Sequence, residues 1–135
     1  MGARTKARKR AVDVLYEAEL QARDRLDLLR ERTADGNPPV PEHTTRLVEG
    51  VAEHAARIDT LIDAHAHNWS LERLPDVDRA ILRMAVFELL WVDDVPDAVV
   101  IDEAVQLAKT LSTDDSPAYV NGVLGAILDA EVPTP

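Results

Sequence analysis

The sequence of 135 residues contains no cysteine, which excludes disulfide bonds, thiol nucleophiles and cysteine-ligated zinc or iron–sulfur sites. Aromatic residues make up only 4% of the chain, whereas 46% is hydrophobic and consists mostly of leucine, valine, alanine and isoleucine. This composition favours helices and argues against a disordered chain. Because the length suits one compact core, we expect a single, predominantly helical domain.

The sequence also lacks a long hydrophobic run. No window reaches the roughly 18 apolar residues that a membrane span needs. The basic N-terminus is not followed by an apolar segment long enough for a secretory signal. We therefore expect a cytoplasmic protein that does not interact with membranes.

Negative charge dominates, with a formal net charge of −10, but the charge is unevenly distributed. Residues 1–10 hold five basic side chains and no acid, whereas the other 125 residues hold 10 basic and 25 acidic side chains, a net charge of −15. A short basic segment on an acidic body is typical of a local anion-binding site. A solubilising tail is the alternative interpretation of such a segment.

Hydrophobic periodicity predicts about six or seven helices. The first helix begins within or just after the basic segment, because apolar residues recur from Ala7 to Ala18 at helical spacing. A short second helix is predicted around Leu28, followed by a loop at residues 35–41. A single helix of about five turns is then predicted over residues 42–62.

The second half of the sequence predicts three more helices. Residues 77–90 are apolar nearly all round, which is typical of a central, buried helix. Residues 101–108 carry a further helix, although residues 99–101 could also form a strand. Capping and proline signals mark element boundaries at Ser70, Pro75, Asp76 and Thr113-Asp114-Asp115-Ser116-Pro117.

Few residues are arranged for catalysis. His65 and His67 lie two apart on a predicted helix and face different directions, so they do not easily share a metal ion. Ser116 is explained by helix capping and has no nucleophile elbow around it. Gly122 and Gly125 are interpreted as allowing close helix packing rather than as an RNA-gripping loop. We predict neither an enzyme nor a metal or cofactor site.

A binding surface is the remaining candidate. It combines the basic first helix and Tyr16 with the polar turn from Thr113 to Tyr119. Cationic side chains neutralise phosphates and an exposed aromatic ring stacks on an unpaired base, as in single-stranded RNA recognition. Both tyrosines could instead be core residues with a hydroxyl at the rim, and periodicity alone favours that interpretation.

Four ordered blocks over nearly the full length make the function more specific. They are Ala3-Arg4-Thr5-Lys6-Ala7-Arg8 before Leu15-Tyr16; Val77-Asp78-Arg79-Ala80-Ile81-Leu82-Arg83 with Glu88-Leu89; Asp94-Val95-Pro96 before Ile101-Asp102-Glu103-Ala104; and Asp115-Ser116 with Tyr119-Val120-Asn121-Gly122. In this order the blocks resemble the NusB family of bacterial transcription antitermination factors.

The resemblance implies an all-α fold of two small packed helical bundles, at about residues 1–70 and 71–135. It also implies that the protein binds single-stranded boxA RNA together with ribosomal protein S10. In this role it would help the RNA polymerase antitermination complex to read through terminators in ribosomal RNA operons.

The same resemblance assigns site residues. Phosphate contacts would come from Arg4, Lys6 and Arg8. Contacts near the bases would come from Tyr16, Asp115 and Tyr119. The S10-facing side would include Asp78, Arg79 and Arg83. Because Thr5 stands where the family often has another arginine, we expect this protein to depend strongly on its partner for RNA binding.

Other interpretations stay open. The helical accessory domain of a ribosomal RNA cytosine methyltransferase shares this fold, but 135 residues leave no room for a cofactor-binding domain. A helical adaptor or dimerisation module, with the basic segment as a solubilising extension, would bind no RNA. Monomer and homodimer are both open, because the apolar excess of the central helix could face a second copy or the protein's own core.

Overall fold

The computed structural model describes residues 2–66 and 73–131, and these form seven α-helices and no strand. In chain order the helices are α1 (Ala3–Leu20), α2 (Arg25–Asp35), α3 (Glu42–Glu53), α4 (Ala55–His65), α5 (Asp76–Trp91), α6 (Asp97–Leu111) and α7 (Ser116–Glu131). The expected all-α fold is confirmed. The division into two bundles near residue 70 falls at residues outside the description and stays a prediction.

Helix α5 is the central element, and it packs against α1, α3, α4, α6 and α7. Its sequence explains this position, because residues 80–82 and 84–89 are all buried and leave almost no solvent-facing side. Helices α1, α2 and α3 also pack against one another, as do α6 and α7. The predicted central, buried helix is confirmed.

Local signals explain where α2 begins and ends. The Asp24 carboxylate accepts hydrogen bonds from the backbone N–H groups of Leu26 and Asp27, at 2.9 and 3.1 Å. Gly36 ends the helix with φ +63°, a conformation that L side chains rarely adopt. The chain then forms the predicted loop before α3.

The single helix predicted over residues 42–62 is wrong, because the structure divides it into α3 and α4 at His54. His54 leaves helical geometry with φ −108° and ψ 19°. Its ring stacks on the ring of Trp91 in α5, with centroids 4.1 Å apart. The apolar pattern continues across the bend because Ile58 and Ile62 still enter the common core.

The glycine prediction is also wrong. A Cβ atom at Gly122 or Gly125 would meet nothing within 4 Å, so neither glycine mediates close helix packing. The glycine that does so is Gly50 of α3. A Cβ atom there would overlap the ring of Phe87, so this α5 side chain packs directly against the α3 backbone in space that any other residue would fill.

Three smaller predictions have different outcomes. Asp76 does not cap α5; it is the first residue of that helix, and its carboxylate pairs with Arg79. Residues 99–101 lie in α6, so the strand alternative is wrong. Helix α7 begins at Ser116, within the boundary at residues 113–117 that the capping and proline signals predict. The turn predicted to start at Ser70 lies outside the described residues, as does His67.

We predict that Gly50→Ala lowers the free energy of unfolding by about 1–3 kcal/mol, because the added methyl group overlaps the Phe87 ring. Urea denaturation followed by circular dichroism measures this change. Gly122→Ala is the matched control: it lies in a helix with open space around its Cβ position, so we expect a gain of about 0.5–1 kcal/mol. Equal effects of the two substitutions would contradict the close α3–α5 approach.

Candidate nucleic-acid interface

The basic segment forms the first turns of α1 rather than a free tail. The helix begins at Ala3, and the N–H of Lys6 already donates to the carbonyl of Gly2 at 3.1 Å. Arg4 and Lys6 are exposed to solvent. The segment therefore presents cations at fixed positions on a helix, as the periodicity predicts.

Arg8 is the exception, because its side chain points into the protein. Its Nε and Nη2 atoms donate to the two carboxylate oxygens of Glu88 in α5, each at 2.8 Å, and the two side chains are only 3% and 1% exposed. Glu103 of α6 lies 3.4 Å from Nη1. The expectation that Arg8 meets phosphate does not fit this position, because the guanidinium is buried and paired with two carboxylates.

The surroundings of Arg8 keep it charged. Burial lowers the pKa of Arg8, but the hydrogen bond and charge of Glu88 and the charge of Glu103 outweigh burial and raise the pKa above its ordinary value. His43 of α3 completes the cluster, with Nε2 3.0 Å from Oε2 of Glu88. Side chains of α1, α3, α5 and α6 therefore meet at one buried charge cluster.

Two threonines add hydrogen bonds around this cluster. The hydroxyl of Thr5 donates to Glu103 at 2.7 Å, and the hydroxyl of Thr44 in α3 donates to the carbonyl of Ala7 at 2.7 Å. Thr5 stands where the resemblance leads us to expect an arginine, and its side chain makes a contact within the protein instead. These bonds hold the first two turns of α1 against the body.

The exposed cations of α1 differ in their partners. Arg4 pairs with Asp94 at 3.1 Å, and Lys9 pairs with Asp13 at the same distance. Lys6 makes no ion pair with any residue in the described part of the chain. The segment is therefore only partly neutralised by its own protein, and its surface cations are available to a polyanion.

Tyr16 is half-buried at the edge of a hollow of about 800 Å³ between α1 and the loop after α2. Val14, Leu20 and Pro38 also line the hollow, and Leu20 is 56% exposed. The hollow is also lined by two cations and three acids, namely Arg10, Arg32, Asp13, Glu17 and Asp35, and Arg32 pairs with Glu17. Apolar groups and charges of both signs thus lie together beside the basic segment.

Tyr119 and Asp115 lie at a different hollow, of about 440 Å³, between the start of α5 and the start of α7. Leu74 and Pro75 supply its apolar wall. The hydroxyl of Tyr119 and Oδ1 of Asp78 are buried there without a hydrogen-bond partner. Burial, together with the charge of Asp78, raises the pKa of the Tyr119 hydroxyl. This hollow shares no lining residue with that of Tyr16, so the structure does not bring the two tyrosines together.

The residues predicted to face S10 make intramolecular contacts. Asp78 is buried and accepts a hydrogen bond from the Ser116 hydroxyl at 2.8 Å. Arg79 is also buried and donates to Glu19 of α1 at 2.7 Å. Arg83 bonds to the same carboxylate at 2.7 Å. Burial thus places Asp78 and Arg79 inside the protein, where they hold α5 to α1 and α7 rather than presenting their side chains to a partner.

Glu19 connects this network. Burial raises the pKa of Glu19, but hydrogen bonds and charges from Arg79 and Arg83 outweigh burial and hold the pKa below its ordinary value. Arg83 also donates to Asp59 of α4 at 2.9 Å. The network therefore joins α1, α4 and α5 at the opposite end of α1 from the Arg8 cluster.

Sequence reasoning missed the roles of Glu88, Glu103, Arg46 and Asp94. For Glu88 a signal exists, since it is the one acid in the otherwise apolar part of α5, and a buried acid requires a cationic partner. For Arg46 and Asp94 the sequence has no such signal, because both are exposed and their proximity arises only from packing.

In the described ranges, no group of three or more histidines, cysteines or acids is arranged to hold a metal ion. None of the helices there has the length and apolarity that crossing a bilayer requires.

The geometry defines a class of protein: an all-α binding protein whose cationic first helix is fixed by a buried charge cluster to an acidic body. Comparison with known proteins is more specific. The chain belongs to the NusB family, which it matches over residues 5–129.

Relatives agree along the whole chain. The transcription antitermination protein NusB of Acidothermus cellulolyticus is 60% identical over 127 residues, which cover 94% of this chain and 88% of that protein. The NusB structure of T. maritima is 33% identical, with a TM-score of 0.85 and coverage of 98% of this chain and 94% of that one. A structure of the antitermination factors NusB and NusE in complex with dsRNA is 32% identical, with a TM-score of 0.82 and coverage of 94% and 96%.

We predict that Arg8→Ala lowers the free energy of unfolding by about 3–5 kcal/mol, because it leaves Glu88 buried without its cation. Lys6→Ala removes an equal charge from an exposed position two residues away, and we expect a change within about 0.5 kcal/mol. Urea denaturation of both variants at neutral pH makes the comparison. Similar stabilities would show that α1 is not held by the buried pair.

Proposed function

We propose that this protein is a transcription antitermination factor that acts by binding and not by catalysis. In this role it binds single-stranded boxA RNA together with ribosomal protein S10 in the cytoplasm and promotes read-through by RNA polymerase in ribosomal RNA operons. One observation carries the proposal: a cationic helix start is held in place on an acidic body by a buried ion pair. The proposal is also supported by the relatives, which are named as transcription antitermination proteins and include a NusB–NusE complex with dsRNA.

The RNA contacts follow from exposure and charge. Arg4 and Lys6 meet backbone phosphates, because both are exposed cations in the first turn of α1. Their spacing of two residues turns them to different sides of the helix, so they contact different phosphates. Arg8 acts as a positioning residue, because its pair with Glu88 fixes the part of α1 that carries Arg4 and Lys6. Tyr16 lies near a base, and Arg10, a cation that lines the same hollow, lies close to the adjoining phosphate.

Asp115 and Tyr119 form a second contact region near the bases. A carboxylate repels phosphate, so Asp115 suits contact with a sugar hydroxyl or a base amino group rather than with the backbone. The apolar wall of the Tyr119 hollow suits an unstacked base.

S10 is the proposed protein partner. Its equivalent, NusE, accompanies NusB in the solved complex with dsRNA. Outside its first ten residues the chain carries a net charge of −15, from 10 basic and 25 acidic side chains, and such a body attracts a basic partner while repelling RNA elsewhere. The roles of Asp78, Arg79 and Arg83 in S10 binding are indirect, because these residues hold α5 to its neighbours and so keep the S10-facing side in place.

We predict that log K for single-stranded boxA RNA, plotted against log salt concentration, has a slope near −3, since contact with about four phosphates releases that much counterion. Fluorescence anisotropy with S10 present measures the slope. Replacing both Arg4 and Lys6 by alanine reduces its magnitude by about 1.4, whereas Lys109→Ala, an exposed cation on α6, leaves it unchanged. A slope near zero for the wild-type protein would favour the helical adaptor that binds no RNA.

We predict that Tyr119→Ala weakens RNA binding by about 1–3 kcal/mol through loss of stacking. Tyr119→Phe keeps the ring and removes a hydroxyl that has no hydrogen-bond partner, so RNA affinity and the free energy of unfolding both stay within about 0.5 kcal/mol of the wild-type values. Titration and urea denaturation are performed on both variants. If Tyr119→Ala loses much stability but binds RNA as the wild type does, Tyr119 is a core residue and not an RNA contact.

A further inference from the structure

Asp94 lies between two arginines that come from different helices. Its Oδ2 atom is 3.1 Å from Nη2 of Arg4 in α1, and its Oδ1 atom is 3.3 Å from Nη1 of Arg46 in α3. The two guanidinium groups thus converge on one carboxylate. Asp94 itself belongs to the turn between α5 and α6.

Packing below the surface fixes this convergence. Helices α1 and α3 lie side by side, and the Thr44 hydroxyl of α3 donates to the Ala7 carbonyl of α1. The buried pair of Arg8 and Glu88 holds the same stretch of α1 to α5. Glu88 lies three residues before the end of α5 at Trp91, after which the turn that carries Asp94 begins. Arg4 and Arg46 are therefore brought together by the tertiary structure.

A carboxylate bound by two guanidinium groups occupies the place that a phosphate group would take. Both anions present oxygens at hydrogen-bonding distance, and arginine recognises both through the same N–H groups. The hydrogen bond from Arg4, together with the charges of Arg4 and Arg46, holds the pKa of Asp94 below its ordinary value, although desolvation opposes this. In the free protein this carboxylate is therefore held in the charged form that pairs with the two arginines.

These contacts are weak enough to be exchanged. The side chains of Arg4, Arg46 and Asp94 are 47%, 45% and 55% exposed, and ion pairs at such positions contribute little because water screens them. An RNA phosphate can replace Asp94 without uncovering a buried charge. Arg8, by contrast, cannot exchange its partners at low cost, since both it and Glu88 are buried.

We propose that Arg46 is a second phosphate-binding residue, which joins Arg4 at one RNA phosphate, and that Asp94 is the built-in anion that this phosphate displaces. This inference rests on the proposed function, because it names a further residue of the same RNA surface. Glu42 and Glu49 also line the hollow beside Arg4 and Arg46, and their charges oppose the approach of further phosphates.

The experiment uses the full-length chain with boxA RNA and S10, and each variant has a matched control. Asp94→Asn frees both arginines, and Glu49→Gln removes an equal charge from the same surface without touching an arginine pair. Arg46→Ala removes the proposed contact, and Arg57→Ala removes an arginine of similar exposure that pairs with Glu131. All four positions lie outside the core, and thermal denaturation checks that each variant is folded.

We expect Asp94→Asn to tighten RNA binding about threefold or more at low salt, and Glu49→Gln to change it less. We expect Arg46→Ala to weaken RNA binding about threefold at low salt, and Arg57→Ala to change it less. Because Arg4 still contacts the shared phosphate in Arg46→Ala, the magnitude of the salt slope falls by less than the roughly 0.7 that belongs to one phosphate. Asp94→Asn loses most of its gain when combined with Arg46→Ala, because the two substitutions act on the same contact.

Two results would overturn the inference alone: equal RNA affinities of Arg46→Ala and Arg57→Ala while the wild-type slope is about −3, or equal gains from Asp94→Asn and Glu49→Gln. The second result would show that Asp94 acts only through general charge. A wild-type protein whose RNA binding does not depend on salt would overturn the proposed function and this inference together.

Discussion

The buried ion pair between Arg8 and Glu88 is the interaction on which the rest of this structure depends. It joins the first helix to the central helix and extends to His43 and Glu103, so four helices meet at one charge cluster. A buried charge is tolerated only when it is paired. The pair therefore favours the one docking of these helices in which Arg8 and Glu88 meet. The position of the cationic helix start follows from that docking.

This arrangement separates two tasks within one basic segment. Arg8 is turned inward and gives the segment a defined orientation, whereas Arg4 and Lys6 remain at the surface. The helix is already ordered in the folded protein, so RNA binding does not lose the conformational entropy of ordering this segment. The acidic body then limits where a polyanion can approach.

The C-terminal end of α1 is held to the protein in a similar way, by charged side chains that pair with one another. Glu19 binds Arg79 and Arg83, and these arginines connect the first helix to α4 and to the start of the central helix. Residues that a family resemblance places on a partner-facing side therefore act as internal supports. Charged side chains that are buried in an otherwise apolar helix require paired partners, so a charged block there does not by itself indicate a surface contact.

By itself, the sequence determined the all-α class, the places of most helices, the buried central helix and the unequal distribution of charge, because periodicity, capping residues and composition are local properties. It did not reveal the bend at His54, since Val51 before the bend and Ile58 after it keep the same apolar period. Nor did it distinguish Arg8 from Arg4, because both belong to one basic run. Only the tertiary structure decided which cation is buried, which glycine admits an aromatic ring, and which carboxylate lies between Arg4 and Arg46. These are contacts between residues far apart in the chain, and their partners are set by how the helices pack.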